Sequence, residues 1–261
     1  MFEICPKCGN YEWNKEVSVD KRSARCPKCG ASWENRAFPL FILTGCSGVG
    51  KTTTARRLME RQQDYAVLDG DILFTADEGE YMGWVERIEG LARDFMQCGK
   101  PVLWTMAGNL DKLKKACNER FFADIYCLAL VCGEAELRRR MTEGRGISDD
   151  GWIRDSVSYN NYFLEHDRMD DIVIERLDIT VLDPDQAAQQ VERWMRSKLA
   201  AWRAGGTTAA ASVETVRMSG TAQMLGRMPE TGNAQRAGGN FAEGTAWRPN
   251  RELGEKTAGG S

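Results

Sequence analysis

Between residues 37 and 202 the chain alternates short apolar runs with stretches whose apolar positions recur every three to four residues. Pro39–Thr44 is apolar almost throughout, the pattern of a strand buried on both faces of a parallel sheet. Tyr65–Asp69, Pro101–Met106, Ile125–Val131 and a segment within Ile172–Leu182 repeat that signal. Helix formers run from Lys51 to about Gln63. Trp84, Ile88, Leu91 and Phe95 fall at helical spacing and predict an amphipathic helix over 84–98, ended by Gly99-Lys100-Pro101. Further helices are expected over Leu110–Glu119 and 134–142. Ser148 is expected to cap another, with Asp149 and Asp150 in its first turn, and Asp183 to cap the last, with Pro184 at its first position. Strands alternating with helices predict an α/β fold with about five parallel strands covered on both faces, a three-layer sandwich.

Two flanking segments differ in texture. Residues 1–36 are cysteine-rich, and 203–261 hold 11 Gly and 10 Ala with few large apolar residues. Such a tail cannot offset an ordering cost of roughly 1–2 kcal/mol per residue, so disorder is expected there. Each flank carries seven Lys/Arg against five Asp/Glu, which concentrates negative charge in 37–202. A net charge of −3 argues against a generally basic nucleic-acid binder or a polybasic membrane anchor. No apolar run reaches the roughly 18–20 residues of a membrane helix, and Met1–Cys5 lacks the features of a signal peptide. A cytoplasmic protein without a membrane partner is the expectation.

The sequence Gly45-Cys46-Ser47-Gly48-Val49-Gly50-Lys51-Thr52-Thr53 fits G-x-x-x-x-G-K-[ST], between an expected strand and an expected helix. Glycines let backbone N–H groups converge on a phosphate, and the helix N-terminus adds positive potential. Lys51 is expected to reach the β- and γ-phosphates of ATP, and Thr52 to ligate Mg²⁺. On this loop, residues 40–200 resemble the small P-loop kinases of the nucleoside/nucleotide-kinase-like group, near gluconate and adenylylsulfate kinases. Leu68-Asp69-Gly70-Asp71 is similar to the carboxylate pair with which those kinases hold an acceptor hydroxyl, and Glu136–Arg145 to their arginine-bearing lid. The resemblance implies a P-loop NTPase sandwich and ATP-dependent phosphoryl transfer. Asp71 is then the group that orients or deprotonates the acceptor, and Arg140 and Arg145 are the lid arginines chosen for catalysis. The third strand ends Trp104-Thr105-Met106 without the acidic residue that many P-loop proteins use for magnesium, leaving Asp69 or Asp71 as the substitute, with Asp69 taken as the ligand.

Cys5-x₂-Cys8 and Cys26-x₂-Cys29 have the spacing of a four-thiolate zinc site. The pattern resembles a zinc ribbon over residues 1–36, closed to water and therefore structural. Trp13, Trp33, Lys15, Lys21, Arg22 and Arg25 could serve nucleic acid, but docking onto the core or a protein partner is favoured. Lone His166 reads as a surface residue.

Three functions remain open on the sequence alone. The leading one is a phosphotransferase acting on a small molecule, nucleoside or nucleotide. The others are a polynucleotide 5′-hydroxyl kinase and a non-enzymatic ATP-binding regulatory module. The acceptor pocket is expected on segments 74–90 and 146–166, and the oligomeric state is left open.

Overall fold

The computed structural model describes residues 4–12, 14–61, 64–73 and 81–204. Trp13, residues 74–80 of the expected acceptor segment and the tail from 205 onward lie outside them. The head folds as three short antiparallel strands, β1 (Glu16–Val17), β2 (Ser23–Arg25) and β3 (Ser32–Glu34), in the order β1-β2-β3. Trp33 pairs across from the fully buried Ala24, and Cys5 and Cys26 are buried beneath.

The chain then runs through β4 (Leu40–Thr44), α1 (Lys51–Met59), β5 (Ala66–Asp69), a 3₁₀ turn (Gly70–Leu73) and α2 (Tyr81–Gln97). Next come β6 (Val102–Thr105), two further 3₁₀ turns (Leu110–Lys115 and Cys117–Phe121) and β7 (Ile125–Val131). The last part holds α3 (Glu134–Arg139), a π turn (Arg140–Gly144), α4 (Asp150–Glu165), β8 (Arg168–Met169), β9 (Ile172–Asp178) and α5 (Pro184–Arg203). Six strands form one sheet in the order β5-β6-β4-β7-β9-β8. The first five run parallel and β8 closes the edge antiparallel to β9. The expected parallel core is present, with one edge strand more than the apolar runs announced.

Side-chain alternation along β4 builds two cores, one on each face of the sheet. Phe41 and Leu43 pack with Ala55 and Leu58 of α1 and with Val191, Met195 and Leu199 of α5. Leu40 and Ile42 pack with Trp84, Ile88 and Met96 of α2 and with Leu110 and Leu113. The result is a P-loop-type three-layer sandwich. Every residue of β4 is buried, which is why it reads as a continuous apolar run. Among the described residues no helix is long and apolar enough to cross a membrane.

Three local expectations need correction. The helix expected over Leu110–Glu119 is two 3₁₀ turns broken at Ala116, whose backbone is extended. Leu110, Leu113 and Ala116 are buried at three-residue spacing, which suits three residues per turn and not 3.6. Asp149, not Ser148, caps α4: its backbone is extended and its carboxylate accepts from the Trp152 N–H at 3.0 Å, which leaves Ser148 one residue outside the helix. The helix expected over 134–142 stops at Arg139 and continues as the π turn. The cap of α5 is as expected, Asp183 and Gln186 forming a reciprocal capping box with Pro184 at the first position.

The head is seated on the core through a polar seam. Lys21 pairs with Glu119 at 3.1 Å. Buried Asn35 donates to the carbonyls of Lys21 and Phe121 and accepts from Gln97 Nε2 at 3.1 Å. Arg36 N–H donates to Gln97 Oε1. Beside this seam α2 buries Glu89 completely, and among the described residues neither carboxyl oxygen meets a hydrogen-bond partner. Burial, followed by the neighbouring Glu86 and Glu119, pushes Glu89 up to about 9.

Candidate functional site

The phosphate-binding loop forms where β4 runs out, and Gly50 takes the N-cap position of α1. Gly45 has φ of +139°, and a Cβ there would lie 2.6 Å from the Leu130 carbonyl oxygen, so only glycine fits. The first turn of α1 holds no acidic residue, which leaves its N–H groups and positive end free for an anion. Thr52 and Thr53 are exposed on that turn. Lys51 is folded back onto the loop, its Nζ donating to the Gly45 carbonyl at 2.7 Å and the Cys46 carbonyl at 2.9 Å. Burial pulls the Lys51 ammonium below its ordinary value, with Arg145 acting the same way and Cys46, Asp71 and Asp69 opposing. Cys46 is sealed in the loop's interior and pushed up to about 12 by that burial, so it is a packing thiol.

The sheet edge brings the carboxylate pair to the same place. Asp69 ends β5 directly beside Thr105 of β6, and Thr105 Oγ1 donates to Asp69 Oδ1 at 2.8 Å. The same oxygen accepts the Asp71 N–H at 3.2 Å, turning the chain sharply after the strand. Gly70 is required between them because a Cβ there would collide with the Thr105 carbonyl. Asp71 stands exposed on that turn. Its carboxyl is raised by partial burial and by Asp69, and held back by Lys51 and Arg145. The pair stands at the same, carboxyl end of the parallel sheet as the phosphate-binding loop. Thr105 carries no signal in the sequence beyond its place at the end of an apolar strand, before Met106.

The lid arginines separate as their helical positions require. Arg138 and Arg139 are exposed and paired with Glu134 and Glu136. Arg145 Nη1 donates to Ser47 Oγ at 3.0 Å, and its guanidinium lies over the Trp152 ring with 5.8 Å to the centroid. Arg140 points elsewhere. Its guanidinium donates to Glu136 Oε1 at 2.7 Å, the Val49 carbonyl at 2.8 Å and the Ile179 carbonyl at 2.8 Å. Salt links to Arg139 and Arg140 hold Glu136 down at about 2. His166 is exposed at the end of α4, stacked on Tyr162.

In the head, the four sulfurs of Cys5, Cys8, Cys26 and Cys29 all lie within 4.8 Å of one another, a cluster that could hold a metal ion. Asn10 Nδ2 donates to the Cys26 sulfur at 3.7 Å. Burial would raise the Cys26 thiol, but the backbone N–H groups of Cys29 and Lys28 overcome it and bring the group to about 6.

Residues 40–150 match a family model described as an AAA domain (AAA_33). That stretch runs from β4 through the phosphate-binding loop and the Asp69/Asp71 pair to the lid arginines, the same residues that carry the resemblance to small P-loop kinases. No curated protein matches the sequence. Among solved structures, the chain is similar to a gluconokinase from Sinorhizobium meliloti 1021 at 14% identity, over 65% of this chain and 98% of that one, with a TM-score of 0.48. It is also similar to a sugar kinase from Janibacter at 14% identity, over 63% and 97%, with a TM-score of 0.46. An APS kinase from Mycobacterium tuberculosis, in complex with AMPPNP and APS, is similar at 18% identity over 61% and 99%, with a TM-score of 0.41.

Proposed function

We propose that this chain is an ATP-dependent phosphotransferase that moves the γ-phosphate to a hydroxyl or phosphate of a small molecule, nucleoside or nucleotide. The observation that carries the reading is that Lys51 lies folded on the phosphate-binding loop and Arg145 donates to its Ser47, with the Asp69/Asp71 turn at the same, carboxyl end of the parallel sheet. Phosphoryl transfer asks for alignment and charge neutralisation more than for covalent machinery. Lys51, released from the two loop carbonyls, supplies positive charge at the β- and γ-phosphates. Arg145, already on Ser47, supplies it from the lid side. Asp71 faces them from the acceptor side, where it accepts the hydroxyl proton or aligns the oxygen. Thr52 would hold the magnesium ion, with Asp69 behind it, and the ion would supply positive charge at the phosphates. Thr105 keeps Asp69 in place.

A non-enzymatic ATP-binding module needs no carboxylate beyond the phosphates, so Asp71 separates the two readings. Asp71→Asn should keep ATP affinity and lose roughly 10²–10⁴ in kcat. The assay supplies labelled ATP with sugars, sugar acids, nucleosides, nucleotides and a 5′-hydroxyl oligonucleotide. Wild-type silence on every acceptor, or a variant that turns over almost normally, argues for the binding module or moves the role to Asp69.

In the head, the residues present suit zinc. The Cys5–Cys29 and Cys8–Cys26 sulfur pairs are 3.6 and 3.8 Å apart, close to the roughly 3.8 Å edge of a tetrahedron with ~2.3 Å Zn–S bonds. Four cysteines leave no open position, so the role is structural. Docking is favoured over nucleic acid because Lys15 is buried on the Glu12 carbonyl, Lys21 is paired with Glu119 and Arg25 with Glu16. Protein purified without added metal should contain close to one zinc per chain by elemental analysis. Four freely titratable thiols in the folded head would overturn this assignment.

A further inference from the structure

The lid meets the phosphate-binding loop in a residue-by-residue register. Arg140 donates to the Val49 carbonyl, Met141 lies against Gly48, and Arg145 donates to Ser47. A Cβ on Gly48 would sit 2.6 Å from Met141 Cγ, so the two segments are in direct contact. The π turn makes this register possible. At 3.6 residues per turn, positions five apart point about 140° away from each other; here the π turn widens the helix over Arg140–Gly144 and the Arg145 N–H closes it on the Thr142 carbonyl, so that Arg140 falls on Val49 and Arg145 on Ser47. Single π turns of this kind often sit at functional sites.

The ends of the lid are fixed as well. Fully buried Asn160 holds both the N–H and the carbonyl of Cys132, where β7 gives way to the lid. Gly133 N–H donates to Thr180 Oγ1, and Ile179 N–H returns to the Val131 carbonyl. Beyond the π turn, Gly146 and Ile147 donate back to the Thr142 and Met141 carbonyls. Arg140 ties α3, the phosphate-binding loop and the β9–α5 connection together through a single planar group.

We propose that Arg140 is a positioning residue: it locks the π turn in register on residues 47–49 so that Arg145 is delivered to the phosphates, and it does not itself touch the nucleotide. Each of its three nitrogens donates to a protein acceptor, Glu136, Val49 or Ile179. A lysine keeps the charge but cannot span three acceptors, because the planar fork is the feature in use. The consequence for turnover rests on the phosphotransferase reading; the consequence for the lid does not.

The test therefore has two arms, both on the full-length protein. In the first, hydrogen–deuterium exchange is followed without nucleotide. Arg140→Lys should speed exchange at the Gly146 and Ile147 amides at least about tenfold while global protection in β4 and β7 is kept. In the second, Arg140→Lys should lower kcat by about 10²-fold with the ATP KM within about twofold, as expected when a catalytic group is displaced by about an ångström. Arg140→Ala placed on Arg145→Ala should then add little, since both act through one group. Unchanged exchange at 146–147 overturns the proposal. So does an ATP KM that rises by the whole loss in kcat/KM together with additivity between the two arginines. If the wild type phosphorylates nothing, the phosphotransferase reading fails and the exchange arm alone decides the role of Arg140.

Discussion

Lys51→Ala should eliminate ATP-dependent turnover, a loss of at least about 10³-fold, while the melting temperature stays near that of the wild type. Among the described residues the ammonium has no carboxylate in hydrogen-bond range; it rests on the Gly45 and Cys46 carbonyls, 2.7 and 2.9 Å away. Removing it costs two hydrogen bonds to a loop that Gly45, Val49 and the Arg140 contact already shape. Stability therefore has little to lose. Catalysis has much to lose, because burial strips the ammonium of water and makes its charge count for more at a nearby phosphate. Lys51→Arg should not rescue, since the longer planar group cannot occupy the position between the two carbonyls. Steady-state assay alongside thermal melting checks both halves. Full activity in the alanine variant would remove the loop from the mechanism.

The second large effect concerns stability. Glu89 is wholly buried and its two oxygens have no partner among the described residues, so it is held in the neutral form up to about pH 9. In the unfolded chain the same carboxyl ionises near its ordinary value of 4.5. Between these values the native state binds a proton that the unfolded state has released. Stability falls as pH rises through that window, by up to about 1.4 kcal/mol per pH unit, and levels off above about 9. Glu89→Gln removes the titration while keeping the shape. Urea unfolding at pH 5 should show little difference between variant and wild type, and at pH 8.5 the variant should be more stable by several kcal/mol. Parallel pH profiles for the two proteins would show that Glu89 is solvated and ionised in the native state.

The parts of this molecule written in local spacing are legible from the order of amino acids alone. The loop Gly45–Thr52 and the two Cys-Pro-Lys-Cys-Gly pentads are read from a few neighbouring residues, because each makes its own turn. Strands β4, β6 and β7 are legible because burial on both faces leaves apolar runs that polar elements cannot imitate. Beyond them the sequence is silent for a common reason: the deciding partner is distant. Arg140 and Arg145 look alike along the chain, and only contacts to residues 91 and 98 positions away separate a clamp on Val49 from a donor on Ser47. Lys15 and Lys21 read as a basic patch, yet one is buried and the other is spent on Glu119. Thr105 gains meaning only from Asp69 on the neighbouring strand. The break at Ala116 follows from how Leu110, Leu113 and Phe122 must meet the sheet, which helix propensity cannot foresee.

The seam between head and core also sets an order of events during synthesis. Asn35 reaches for the carbonyl of Phe121, a residue made 86 positions later. At about 5–20 residues per second the ribosome needs roughly 4–17 s to supply it. Until then the head lacks this seam, and three strands of two or three residues are too short to be stable on their own. The four sulfurs, the farthest pair only 24 positions apart, are complete before the shelf on which the head will rest has been translated.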